Sequence, residues 1–181
     1  MIIGLTGTFG AGKDLIARYL ENKNFQHLST ADILREEVLK KGLSLERETL
    51  RTFSNELKKT KGGDYLAREA VARIKNDDVI ISAIRAVEEV DYLKKIKNFY
   101  LVFIDAPIEL RYERIRKRSR IGEKEISLDE FKRKEELEMS GQSSQRLDYC
   151  QEKADFIISN TDSVDELNSK IDALLAKIGE K

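Results

Sequence analysis

Residues Gly7-Thr8-Phe9-Gly10-Ala11-Gly12-Lys13 form a G-x-x-x-x-G-K run, and no other feature of this 181-residue chain narrows its possible folds as much. The run follows the apolar segment Met1 to Thr6 and precedes a charged stretch with Leu15, Tyr19 and Leu20 at helical spacing. Strand, glycine-rich turn and helix therefore succeed one another, as this motif requires. The glycines let backbone N–H groups converge on an anion, the helix dipole adds a positive end, and Lys13 can reach the outer oxygens of a triphosphate. ATP is the expected ligand. Asp14 stands where such loops carry a Ser or Thr that binds Mg²⁺, and its carboxylate can hold the ion directly or through water.

Four further segments read as strands. Val79 to Ser82, Phe99 to Asp105 and Phe156 to Ser159 are almost continuously apolar, and Phe25 to Ser29 is a shorter run. Continuous apolar character suits parallel strands covered on both faces. Between them lie charged segments with helical stripes: Ile33, Leu34, Val38 and Leu39, and later Val164, Leu167, Ile171, Leu174, Leu175 and Ile178 after a Ser163 cap. The alternation predicts one α/β domain over residues 1–181, a five-stranded parallel sheet with helices on both faces and ligands at the carboxyl ends of the strands. Two stretches exceed that plan. Residues 30–75 hold about three helices between the second and third strands, and residues 119–127 form a polar break around Gly122. Both are expected over the active face, as an acceptor-binding insert and a short lid.

Composition excludes several classes. Lys+Arg and Asp+Glu number 33 each, so no overall field favours nucleic acid or an anionic membrane. Cys150 is the single cysteine, which leaves no intramolecular disulfide and no cysteine-based metal cluster. Cys150 and the lone His27 both read as structural. No segment approaches 18 apolar residues and the N-terminus lacks a signal-peptide pattern. A soluble, cytoplasmic protein with small-molecule partners is expected, in an oligomeric state the sequence leaves open.

The segment Leu28-Ser29-Thr30-Ala31-Asp32-Ile33-Leu34-Arg35 resembles the adenylate kinase pattern S-T-G-D-x-L-R, with Ala31 in place of the glycine. The resemblance implies that Thr30 and Arg35 contact the phosphate of an acceptor. Ile80-Ile81-Ser82-Ala83-Ile84-Arg85 is similar to the end of the third strand in nucleoside monophosphate kinases and in P-loop relatives with an acidic-Gly-Ile-Arg turn. That likeness implies an acceptor-phosphate role for Arg85, and Glu89 matches a glutamate four residues on. Ser82 and Ala83 replace the acid and the glycine, which leaves Asp32 or Asp105 for the metal-side or base role. In these kinases arginines of the helix before the lid serve ATP, and the resemblance carries that role to Arg114, Arg118 and Arg120. Gln145 and Ala154-Asp155-Phe156-Ile157-Ile158-Ser159-Asn160 resemble the end of dephospho-coenzyme A kinases, which implies that Asn160 lies beside the ATP base.

These residues predict a three-layer P-loop kinase fold and transfer of the γ-phosphate of ATP·Mg²⁺ to a nucleotide-like acceptor, first of all a nucleoside or deoxynucleoside monophosphate. The expected ATP site comprises Gly7 through Leu15 with Arg114 and Asn160. Thr30, Arg35 and Arg85 form the acceptor site, and Asp14 and Asp105 the metal ligands. Lys13, Arg118, Arg120 and Asp32 form the catalytic set. A phosphate acceptor is already ionised, so positioning and charge neutralisation suffice. Two alternatives differ in the acceptor: a dephospho-coenzyme A kinase-like enzyme acting on a ribose hydroxyl with Asp32 as base, and a nucleotide-binding switch or ATPase with no small-molecule acceptor.

Overall fold

Successive side chains of a strand point to opposite faces, and in the central strands both sets are apolar. Along β4 (Phe99–Asp105), Phe99, Leu101 and Phe103 turn to one side and Val102 and Ile104 to the other. Such a strand needs helices on both faces. The computed structural model, which describes residues 1–118, 126–140 and 145–180, has that arrangement. β1 (Ile2–Gly7), β2 (Gln26–Ser29), β3 (Val79–Ser82), β4 and β5 (Phe156–Ser159) form one parallel sheet in the order β2-β3-β1-β4-β5. Leu5 of the central β1 pairs with Ser82 of β3, and Gly7 with Ile104 of β4. The glycine-rich turn therefore emerges between the ends of β3 and β4, where the order of the strands reverses.

One face is covered by α1 (Lys13–Glu21) and α9 (Val164–Gly179), whose Ile16, Leu20, Ile171 and Ile178 pack over Ile3 and Leu5. The other is covered by α2 (Thr30–Lys40), α4 (Tyr65–Ala72), α5 (Val87–Leu93) and α8 (Leu147–Glu152), with Ile33, Ala67, Val90 and Cys150 against Ile81 and Phe103. Truncating a side chain such as Leu101 to Ala in either layer costs about 2–5 kcal/mol. The sheet is thus a stiff frame for whatever its carboxyl ends carry. Burial pushes the Cys150 thiol up to about 11, in keeping with a packing role. α3 (Arg47–Lys61) stands off the sheet and buries Phe53 and Leu57 against Val38 of α2. α6 (Ile108–Arg118) follows β4, and α7 (Leu128–Met139) begins at a Ser127 cap.

All five expected strands are present, and residues 30–75 hold α2, α3 and α4. The helical stripes need correction at their edges. Leu15, Leu39 and Val164 are 42%, 57% and 54% exposed, because the inner faces are set by Ile16, Ala17 and Leu20, by Ile33 and Val38, and by Leu167, Ile171 and Leu174. Of the expected lid, only Ile126 and Ser127 are among the described residues, and Arg120 lies outside them. Among the described residues no helix is long and apolar enough to cross a membrane.

Candidate active site

The turn after β1 is shaped by glycines whose conformation other residues resist. Gly7 has φ 133° and a Cβ there would lie 2.0 Å from the Ile104 carbonyl oxygen; Gly12 has φ 97° and its Cβ would meet the Asn160 amide at 2.4 Å. With Gly12 at its N-cap, α1 has no side-chain cap, whereas α2, α7 and α9 are capped by Ser29, Ser127 and Ser163. The loop thus offers backbone N–H groups and the positive end of a helix dipole at the sheet edge, a cradle that fits a chain of phosphates. Lys13 folds back over it, its Nζ donating to the carbonyls of Gly7 (2.8 Å) and Thr8 (2.7 Å). Burial lowers this ammonium to about 7, the Arg85 charge pushes in the same direction, and Asp14 opposes both. A cation so disfavoured gains most from a phosphate placed beside it.

Side chains from the far half of the sheet hold the loop in place. The Thr8 hydroxyl donates to Asp105 at the end of β4 (2.6 Å), and Asn160, just past β5, donates its side-chain amide to the Ala11 carbonyl (2.7 Å). Arg114 of α6 donates to the Asn160 carbonyl (3.0 Å), and Arg118 lies over the Phe9 ring, 5.2 Å from its centroid. Arg111 is 2% exposed and touches everything around it. It donates to the carbonyls of Ala106 (2.6 Å) and Phe9 (3.1 Å) and forms a bidentate pair with Glu135 of α7. The pair ties the P-loop, α6 and α7 together.

At the end of β3 the chain turns through Ala83, whose φ of 65° is the left-handed value that a glycine adopts without strain. The turn is pinned from three sides. Thr30 donates its hydroxyl to the carbonyl of Ala83 (3.0 Å), Thr6 donates to that of Ile84 (2.7 Å), and the Glu89 carboxylate accepts the N–H groups of Arg85 and Ala86 (3.0 Å each). On the other face His27 links Ser82 Oγ (Nε2, 2.7 Å) to Glu21 (Nδ1, 3.1 Å). Beside the turn a cavity of about 320 Å³ opens between α2, α3 and α4. Thr30, Ala31, Leu34 and Leu66 line one side, and Arg85, Glu89 and Gln145 close its inner end. Arg85 donates to Gln145 (2.5 Å) and lies 3.6 Å from Glu138. It therefore faces the cavity and is also felt electrostatically by Lys13.

A family model described as an AAA domain matches residues 3–139. A UPF0200 protein of Sulfurisphaera tokodaii is 31% identical over 179 residues, covering 98% of this chain and 97% of its own. The chain belongs to the UPF0200 proteins and carries an AAA domain. A UPF0200/UPF0201 protein of Archaeoglobus fulgidus is 30% identical over 99% of this UPF0200 chain, which spans 56% of that longer relative. Among solved structures, shikimate kinase from Acinetobacter baumannii, in complex with shikimate, superimposes with a TM-score of 0.62 at 18% identity, covering 97% of this chain and 93% of that one. Shikimate kinase from Aquifex aeolicus gives 0.56 at 21% identity, covering 99% and 98%. These likenesses establish the P-loop kinase fold.

The UPF0200 chain brings some of the expected residues together and separates others. Gly7, Thr8, Phe9, Gly10, Ala11, Gly12 and Lys13 form the loop, with Arg114, Arg118, Asp105 and Asn160 around it. Asp14 is exposed on the first turn of α1. Asn160, 3% exposed, braces the loop rather than opening onto a base site. Thr30 and Arg85 line the cavity. Arg35 and Asp32 do not: they pair with each other at 2.5 Å on the outer face of α2, with the Asp32 side chain 66% exposed. Thr30, Ala31 and Leu34 take the inward positions of that helix, so residues 32 and 35 project to solvent. Arg111, the His27–Ser82 link and the cavity-facing side of α3 went unassigned in the sequence. Only α3 left a readable signal there, cations at 47, 51 and 58 along one helical stripe.

Proposed function

We propose that this UPF0200 protein is an ATP-dependent small-molecule kinase that transfers the γ-phosphate to a phosphorylated, nucleotide-like acceptor, a nucleoside monophosphate in the simplest case. One observation carries the reading: Arg85 lines the cavity while its charge acts on Lys13. A phosphate held by Arg85 would lie next to a triphosphate held by Lys13. Bound ATP·Mg²⁺ would supply the transferable phosphoryl group and neutralise its charge. The residues suited to the metal are few: among the described residues no three acidic, His or Cys side chains converge. Mg²⁺ bound with a nucleotide keeps its waters and takes one or two carboxylates. Asp14, beside Lys13, fits that requirement, with Asp105 as the second candidate.

In this reading the backbone of Gly7 to Gly12 and the Lys13 ammonium bind the donor phosphates. Arg111, Arg114 and Asn160 keep the loop rigid, and Arg118 braces the γ-phosphate from the helix side, a role the family resemblance gives to Arg120 as well. Arg85 orients the acceptor phosphate in line with it. A phosphate nucleophile needs no base, which suits a cavity in which the one acidic side chain among the described lining residues, Glu89, is already engaged by two backbone N–H groups. A hydroxyl acceptor would need Asp32, which faces solvent and binds Arg35. The nucleotide substrates favour work in the cytoplasm, without nucleic-acid partners.

Ser82 favours one other reading. It stands where P-loop relatives carry an acid, and its hydroxyl is hydrogen-bonded to His27; the missing carboxylate suits a nucleotide-binding switch. The two readings separate in a single assay: ADP release by purified protein across a panel of nucleoside monophosphates and dephospho-coenzyme A. Release that depends on one acceptor supports the kinase, and a slow rate indifferent to every acceptor supports the switch.

A further inference from the structure

The charges of α3 are sorted. Arg47, Arg51 and Lys58 line the cavity, whereas its acids Glu48 and Glu56 do not. Residues 47, 51 and 58, with Ser54 and Asn55 between, recur at the helical period on one face. The chain as a whole is charge-neutral, so this stripe is a local concentration. It meets Arg85 across the cavity, so that among the described residues four cations line it beside the carboxylate of Glu89, with Glu138 3.6 Å from Arg85. Glu89 is 5% exposed and its carboxylate is spent on the N–H groups of Arg85 and Ala86.

The cations fall into two groups along the helix axis. The charges of both Lys58 and Arg85 act on Glu89, so these two belong to the inner end. Arg47 acts instead on Glu130 of α7 and stands with Arg51 toward the outer end, where both are exposed. At 1.5 Å per residue, Arg51 is about 10 Å and Arg47 about 16 Å from Lys58 along the axis. Leu34, Leu50 and Leu66 give the intervening wall an apolar surface. A nucleoside monophosphate has one anionic end and would leave the outer pair facing a neutral base.

We infer that the cavity takes a small molecule with anionic groups at both ends, the accepting phosphate at Arg85 and Lys58 and a second phosphate or carboxylate at Arg47 and Arg51, with an apolar or flat body between. The inference rests on the kinase reading for the role of the first phosphate, while the second anion site stands on the α3 geometry.

The test is calorimetric titration of hexyl phosphate and hexane-1,6-diyl bisphosphate, which carries a phosphate at each end of an apolar chain, into protein whose P-loop is saturated with a non-hydrolysable ATP analogue. The bisphosphate should bind at least ~10-fold more tightly, the scale of one or two charge-assisted contacts. The preference should collapse to about one in Arg47→Ala/Arg51→Ala. It should survive in Lys41→Ala/Lys59→Ala, which removes equal charge outside the cavity. Equal binding of the two ligands, absence of binding included, or a preference that persists in Arg47→Ala/Arg51→Ala, overturns the second anion site. Arg85→Ala reads the first phosphate separately: if it leaves both ligands unaffected, the acceptor site of the kinase reading fails, whatever the ratio shows.

Discussion

Around the P-loop, the side chains that reach the loop are tied to its backbone: Arg111 to the Phe9 carbonyl, Asn160 to that of Ala11, Lys13 to those of Gly7 and Thr8. In the cavity, Arg47 and Arg51 stand exposed along α3, and the partners of the Arg85 side chain among the described residues, Gln145 and Glu138, are side chains that a ligand could displace. On the kinase reading, the donor side is preorganised and the acceptor side is a set of charges that an anion could bridge. Damage to the first should therefore spread through stability and ATP binding together. Damage to the second should be confined to one ligand.

The largest effect is expected at Arg111. Arg111→Ala would leave Glu135 without its bidentate partner and the Phe9 carbonyl without its donor. Breaking such a buried pair costs about 3–5 kcal/mol, a fall in Tm of roughly 10 °C for a chain of this size. Arg111→Lys should rescue little, because an ammonium cannot reproduce the planar fork. A thermal melt together with ATP-analogue binding checks this. A large loss of Tm with unchanged nucleotide affinity would mean that Arg111 supports the fold and not the loop.

Next comes Lys13→Ala, which should lower kcat at least ~10²-fold with Tm nearly unchanged, since the side chain serves the ligand and not the core. Full activity in the folded variant would remove the P-loop from the chemistry. The same lysine predicts a pH dependence. Its ammonium is held near 7 in the free protein by burial and by Arg85, and a bound triphosphate would raise it. ATP-analogue affinity should therefore be highest below pH 7 and fall as pH rises through 7, by at most about tenfold per unit, with close to one proton taken up on binding at pH 8. Calorimetry in buffers of different ionisation enthalpy measures that proton. A flat profile from pH 6 to 9 without uptake would contradict it.

The smallest effect concerns the metal side. Asp14→Asn should raise the Mg²⁺ needed for half-maximal rate several-fold, and Ser82→Asp should lower it, because each changes the charge offered to the ion by one. Identical titrations in wild type and both variants would leave Asp14 only a favourable place in the first turn of α1.

The same contrast explains what the sequence made legible. The P-loop is contiguous and flanked by a strand and an amphipathic helix, so local pattern was enough; the five strands were readable for the same reason. The cavity is assembled from α2, α3, α4, the turn after β3 and Gln145, and no local pattern announces that assembly. Arg35 and Asp32 were assigned by their place in a motif, but a motif does not say which way a helical side chain points, and both face outward. Arg111 sits in a run of arginines and differs from its neighbours only in what packs around it: Phe9, Phe131 and Glu135. Leu15 and Leu39 carry the right residue type on the wrong side of their helices. The link from His27 to Ser82 needed the pairing of β2 with β3 to become visible.

The most direct test of the account is steady-state kinetics of Arg85→Ala beside Arg35→Ala, with ATP and the acceptor varied in turn. If Arg85 joins the cavity to the P-loop, Arg85→Ala raises the acceptor KM about ten- to a hundredfold, the scale of a charge-assisted phosphate contact, and lowers kcat. Arg35→Ala, an exposed pair partner, stays within about twofold. An unchanged acceptor KM in Arg85→Ala, or a larger effect at Arg35, would contradict the assignment of the cavity as the acceptor site.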